Sequence, residues 1–173
     1  MTNLLIRKAS FRGISDLQKI SKQTFLETYS SGNTKEDMLK YLSVEFAAEK
    51  LLAELNDKNS EFYFAILEDE IVGYIKINFG ESQTDLKEEK SLEIQRIYVL
   101  EAFHGMKIGK ALYQKTVEIA KQKELDYLWL GVWEHNPKAI QFYEKIGFIA
   151  FDKHVFQLGT DEQTDIMMKQ ELK

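Results

Sequence analysis

His104-Gly105-Met106-Lys107-Ile108-Gly109-Lys110-Ala111-Leu112 follows the apolar run Ile94-Gln95-Arg96-Ile97-Tyr98-Val99 and opens an amphipathic stretch that continues to about Lys123. The succession reads as strand, tight loop and helix. A loop at a helix start aims free backbone N–H groups at one point, with the positive end of the helix dipole behind them. Such an arrangement holds phosphate well. A tight turn without a ligand would share the same residues, so the loop gains meaning only from what flanks it.

Downstream, Asn136-Pro137 is a strong helix start, with Asn as N-cap and Pro at the first helical position. Ala139, Ile140, Phe142, Tyr143 and Ile146 share one face of that helix, and Gly147 suits a left-handed C-terminal cap. Tyr127 to Trp133 is apolar at both parities, as expected of a strand covered on both faces. The helix from about Gly109 to Lys123 is long enough to cross between that strand and a parallel one at Leu92–Val99. Earlier in the chain, Leu4–Ala9 reads as a strand, and Gly13–Tyr29, Thr34–Leu42 and Phe46–Asn56 read as helices. Glu61–Leu67 and Ile71–Phe79 form a hairpin around Glu68-Asp69-Glu70. Glu81 to Lys90 reads as a polar surface loop, and Phe148–Leu158 and Thr164–Leu172 supply two last strands. The fold class is therefore α/β, a mixed sheet flanked by helices.

At 173 residues and 44% hydrophobic, the chain is expected to form one domain over residues 1–173, with enough interior to hold a core unaided. Cysteine is absent, which excludes disulfides, thiolate metal sites and a cysteine nucleophile. No His or carboxylate spacing suggests a metal site. Met1 to Ile20 is broken by Arg7, Lys8 and Arg12, and no apolar run approaches a membrane span. A cytoplasmic protein is the expectation. A net charge of −5 gives little attraction for nucleic acid or anionic membranes and suits a cationic partner better.

The loop at His104–Gly109 and the helix at Asn136–Phe148, in this order, resemble the two cofactor motifs of the GNAT family of N-acetyltransferases, which transfer acetyl from acetyl-CoA to an amine. The family loop runs Gln or Arg, two free positions, Gly, one free position, then Gly or Ala; His104 and Lys107 depart from it here. Lys107 enters positive φ less cheaply than Gly would. The resemblance implies a mostly antiparallel sheet whose central parallel pair, Leu92–Val99 and Tyr127–Trp133, splays to hold acetyl-CoA as co-substrate. Ser91 to Tyr98, Trp129 to Glu134 and Asp161 to Asp165 look closest to the bacterial PaiA-type polyamine acetyltransferases, which implies spermidine or spermine as acceptor.

The same resemblance assigns candidate roles. Main-chain groups of Ile97 and Val99 would pair with the pantetheine arm, and the N–H near Val99 would stabilise the developing oxyanion. His104, Gly105, Met106, Lys107, Ile108, Gly109 and Lys110 would hold the pyrophosphate, and Asn136 would contact the cofactor arm or act only as a cap. Tyr143 fits the general acid that protonates the leaving thiolate, or is simply a core residue. Glu93 is the candidate base and Glu27 a candidate site for a second ammonium group, though either could be a solvated charge; His135 and His154 are weaker proton-relay candidates. Other readings stay open: acetylation of a protein N-terminus, lysine or antibiotic, or a non-catalytic module that binds CoA. Oligomeric state is left open.

Overall fold

The computed structural model describes residues 3–172. Seven strands form one sheet in the order β1-β2-β3-β4-β5-β7-β6. They are β1 (Leu4–Lys8), β2 (Ser60–Leu67), β3 (Glu70–Phe79), β4 (Ser91–Val99), β5 (Tyr127–Trp133), β6 (Ile149–Leu158) and β7 (Asp161–Glu171). Every neighbouring pair is antiparallel except β4 and β5. Among the described residues, five α-helices accompany the sheet: α1 (Ile14–Tyr29), α2 (Lys35–Glu45), α3 (Ala48–Asn56), α4 (Ile108–Gln122) and α5 (Pro137–Lys145). Among the described residues, no helix is long and apolar enough to cross a membrane.

The central strands β2 to β5 are buried along both faces because both faces of the sheet are covered there. In β2, Phe62, Phe64 and Ile66 join the core formed with Leu17, Ile20 and Phe25 of α1, Met38 and Leu42 of α2 and Leu51 of α3. Tyr63, Ala65 and Leu67 face the other way, onto the core with Ile108, Leu112 and Ile119 of α4 and Tyr143 of α5. The sheet is thus the middle of three layers, and α4 makes the expected crossover between the parallel strands.

The decisive irregularity lies in β4. Its partners on β3 run Asn78–Glu93 and Ile77–Ile94, then Lys76–Arg96 and Ile75–Ile97, so Gln95 is an extra residue. Such a bulge bends its strand and strengthens the local twist. Pairing of β4 with β5 stops at Ile94–Leu130, immediately before it. Beyond that point the two strands part. The bulge also shifts side-chain parity: Leu92 and Ile94 lie on the α4 face, and Ile97 and Val99 pack against the same core.

Three stretches differ from the sequence-based expectation. The β2–β3 turn has two residues, Glu68 and Asp69, both at positive φ, and Glu70 is already in β3 opposite Leu67. This is the turn geometry that matches the twist of the flanking strands. β7 begins at Asp161, because Gly159 and Thr160 alone make the β6–β7 turn. Gly159 has φ +65° and lies so close to Asp37 of α2 that a Cβ there could not fit, and Asp37 accepts hydrogen bonds from Thr160. The stretch from Glu81 to Lys90 is anchored rather than a plain surface loop. Gln83 is 1% exposed, accepts from Trp129 Nε1 at 2.7 Å and Ser91 Oγ at 2.9 Å, and donates to the carbonyls of Gly80 and Glu88.

Candidate active site

Two cavities meet where β4 and β5 part. The larger, about 680 Å³, lies between the strands and runs over the start of α4 and along α5. The smaller, about 220 Å³, opens on the face covered by α1 and α2. Tyr29, Gln95, Tyr98 and Gly131 line both, and so mark the passage between them.

The larger cavity is built for an anion. The first backbone bond of α4 runs from the Ala111 N–H to the Lys107 carbonyl. The N–H groups of Ile108, Gly109 and Lys110 therefore have no partner within the helix. Lys107 supplies the N-cap in left-handed geometry, at φ 63°, where the family pattern places Gly. An L side chain pays about 1 kcal/mol there relative to Gly. Gly105 (φ 85°) completes the reversal. A Cβ on Gly109 would meet nothing closer than Phe142 Cζ at 3.8 Å, so the protein itself leaves that space open. Lys107, Lys110, Lys138 and Lys145 all line the cavity, and among the described residues no carboxylate does.

The opened edge of β4 supplies backbone groups. The Leu100 N–H bonds to the Val72 carbonyl on β3. Strand alternation then turns the polar groups of Tyr98 toward β3 and those of Ile97 and Val99 toward the splay. The His104 ring nitrogen Nε2 lies 2.8 Å from the Val99 carbonyl. A carbonyl only accepts, so Nε2 carries the proton and ties the His104 ring to β4, while the residue also lines the larger cavity. Met106 is 45% exposed and does not line the cavity, whereas Gly105, Lys107, Ile108, Gly109 and Lys110 do.

From the other wall, Asn136 caps α5, its Oδ1 accepting from the Ala139 N–H at 3.2 Å, and its side chain also lines the cavity. Tyr143, two turns further on, is buried against Phe142 and Phe148. Burial raises its phenol above the ordinary tyrosine value, which keeps it protonated at neutral pH. The residue is both a core residue and a cavity-lining one.

The smaller cavity has the opposite character. Glu45, Asp85, Glu93 and Asp165 line it, against Arg96 and His154. Arg96 is held by Glu54 at 3.2 Å and lies over the Phe46 ring. Phe25, Tyr29, Tyr41, Phe46, Trp129 and Phe156 form its aromatic walls. Glu93 is 3% exposed. Its carboxylate accepts from Asn78 Nδ2 at 2.9 Å, from the Thr84 N–H at 2.8 Å and from the Thr84 hydroxyl. Asn78 also donates to Gln95 Oε1 at 2.8 Å, tying together both sides of the bulge.

Glu27 departs from its expected place. It lines neither cavity; it is exposed, and its Oε1 accepts from the Glu101 N–H at 2.9 Å, capping the short turn that follows β4. Its neighbours Thr28 and Tyr29 line the larger cavity instead. His135 is exposed beside Glu134, and it lines neither cavity. Lys138, Lys145 and Asp165 also line the site, and none of them takes a role from the sequence alone, although Asp165 ends the Asp161–Asp165 stretch that carries the resemblance.

Comparison with known proteins agrees with this arrangement. The family model described as "Acetyltransferase (GNAT) family" matches residues 16–148, well over half of the chain. An uncharacterized N-acetyltransferase encoded in the pepI 3′ region of Lactobacillus delbrueckii subsp. lactis is 37% identical over 172 residues, covering 99% of each chain. A spermidine N(1)-acetyltransferase of Thermoplasma acidophilum is 25% identical, over 85% of this chain and 89% of that protein. The crystal structure of the PaiA N-acetyltransferase of Thermoplasma acidophilum in complex with coenzyme A superposes with a TM-score of 0.81 at 22% identity, covering 98% of this chain and 99% of that one. With a splayed parallel pair, an anion-binding helix start and this extent of similarity, the chain belongs to the GNAT family of acetyltransferases and is an acetyl-CoA-dependent N-acetyltransferase.

Proposed function

We propose that the acceptor is a cationic amine of the polyamine class, acetylated by direct attack on acetyl-CoA in a ternary complex. One observation carries this reading. In a chain of net charge −5, the lysines lining the site gather at the larger cavity and the carboxylates at the smaller one. Acetyl-CoA is a polyanion and a polyamine a polycation. Each would meet its opposite charge, with the reacting groups brought together at Gln95 and Gly131. Aromatic walls add surface for methylene chains and faces for ammonium groups. The similarity to a spermidine acetyltransferase supports the same class.

Roles follow from position. The free N–H groups of Ile108, Gly109 and Lys110, with Gly105 and the nearby lysines, hold the pyrophosphate. Backbone groups of Ile97 and Val99 pair with the pantetheine arm, and the Val99 N–H meets the thioester oxygen as it gains charge. Asn136 borders that arm. Tyr143 donates its proton to the departing sulfur. Glu93, fixed by Asn78 and Thr84, contributes negative charge that holds the acceptor.

A CoA-release assay over spermidine, spermine, a simple alkyl monoamine and a peptide with a free N-terminus tests the reading. The expected result is a kcat/KM for spermidine at least about tenfold above that of the monoamine, equivalent to about 1.4 kcal/mol from the distal charge. Efficient turnover of the peptide with none of either polyamine would overturn the substrate class and leave the N-acetyltransferase intact.

A further inference from the structure

The amine enters as an ammonium and needs a base at the point of attack. Glu93 is poorly disposed for that task. Donors from Asn78 and Thr84 occupy three of its lone-pair directions. A different carboxylate overlooks the passage between the cavities. Asp165 on β7 pairs in register with Trp133 of β5, which places it diagonally across from Gly131. Its Oδ2 lies 3.1 Å from where a Cβ on Gly131 would stand. Gly131 is among the first residues beyond the last β4–β5 pair and lines both cavities. The absence of a side chain there leaves the carboxylate facing the opening.

We propose that Asp165 is the general base of the reaction. The inference rests on the ammonium form of the acceptor argued above, but not on its being a polyamine. One ammonium proton passes to Asp165, and the freed lone pair forms the C–N bond to the thioester carbon. The C–S bond breaks with its electron pair on sulfur, and Tyr143 protonates that sulfur. The second N–H proton, lost as the amide forms, restores the phenol.

The surroundings suit this role. Asp165 Oδ1 is buried with no hydrogen-bond partner among the described residues. Burial raises its carboxyl to about 6, against a smaller opposing effect of His154. A base poised near working pH transfers protons most effectively. The groups facing it are His154 opposite on β6, Tyr29 from α1, Tyr41 and Glu45 from α2, Glu93, Arg96 and Tyr98 from β4, and Asp85 from the β3–β4 loop. His154 is about half exposed, with Nδ1 3.9 Å from Asp85 Oδ2.

The test compares Asp165→Asn, Asp165→Glu and Glu93→Gln with the unaltered enzyme, using spermidine, or the best amine of the panel if spermidine is not turned over. For the unaltered enzyme, kcat/KM should rise with pH through about 6 as the base ionises. Asp165→Asn should lose that limb and lower kcat by about 10²–10⁴-fold, with acetyl-CoA affinity by calorimetry unchanged. Asp165→Glu should restore part of both, and Glu93→Gln should weaken the acceptor KM while keeping the limb. The assignment is overturned if Asp165→Asn changes KM alone, if it keeps the limb, or if Glu93→Gln is the variant that loses it. Failure of spermidine as substrate would refute only the polyamine class.

Discussion

Asp165→Asn should stabilise the protein at pH 8 even as it removes activity. The folded state raises the Asp165 carboxyl from 3.8 to about 6, and burial is the cause. Its ionised form is therefore penalised by folding. The shift of about two units corresponds to about 3 kcal/mol at 1.36 kcal/mol per unit. Solvent reaches part of this half-buried side chain, so about 1–2 kcal/mol is the expected cost. The sign follows from linkage: below about pH 4 the carboxyl is neutral in both folded and unfolded chains and no penalty exists. Between pH 4 and 6 the unfolded chain ionises first, and the penalty grows until it saturates above 6. Asn carries no charge at any of these values. Differential scanning calorimetry should show Asp165→Asn melting about 2–8 °C above the unaltered protein at pH 8, with the gap closing toward pH 4. An equal or lower melting temperature at pH 8, or a gap that does not vary with pH, would refute the claim that a buried charge is held there against its own solvation.

Tyr143→Phe removes one hydroxyl from a packed ring, so the melting temperature and acetyl-CoA affinity should hold while kcat falls by about 10²–10⁴-fold; turnover close to the original would reduce Tyr143 to a packing role. Gly109→Ala should leave the fold intact, since its Cβ has room in the protein itself. It should nevertheless weaken acetyl-CoA binding by about 1–3 kcal/mol, roughly five- to 150-fold, through crowding against the ligand; calorimetry finding unchanged affinity would remove the pyrophosphate from the α4 start. Glu27→Gln should leave the KM for spermidine unchanged, because Glu27 lies outside both cavities. Its effect should instead be a small loss in the denaturant midpoint, from a weakened bond to the Glu101 N–H.

Local signals carried most of the architecture. The apolar runs gave the strands, the caps gave α5, and the doubly apolar β5 gave the parallel centre of the sheet. Even the bulge left a trace. Leu92, Ile94, Ile97 and Val99 are spaced by two, three and two residues, and the odd step marks one extra residue in a strand that otherwise alternates. Asp165 left no such trace. It stands between the polar Thr164 and the apolar Ile166, and its position depends on β7 inserting between β5 and β6, a pairing set by partners distant in the chain. Glu27 shows the converse error. Helical periodicity places it on the same helix as Thr28 and Tyr29, which do reach the site, but one position around a helix turns a side chain by about 100°. The β6–β7 turn is fixed from a distance, because Asp37 of α2, far off in sequence, accepts the hydrogen bonds of Thr160.

One residue in β4 links these features. Without Gln95 the strand would stay in register with β5, the ladder would continue past Ile94 and Leu130, and the backbone groups of Ile97 and Val99 would be consumed by sheet pairing. With it, the two central strands part over a short distance, and one extra residue opens an edge, separates two cavities and leaves Gly131, paired to Met167 of β7, without a partner on its β4 side. Asn78 fixes that residue by donating to both Gln95 and Glu93, so the bulge is held by a buried side chain as well as by the ladder. Opposite charges can then approach from opposite faces without meeting except at the gap. For a transfer in which the amine must reach the thioester directly, the gap defines where an acyl group may pass, and it is why a base on β7 can serve a reaction whose co-substrate is held by β4.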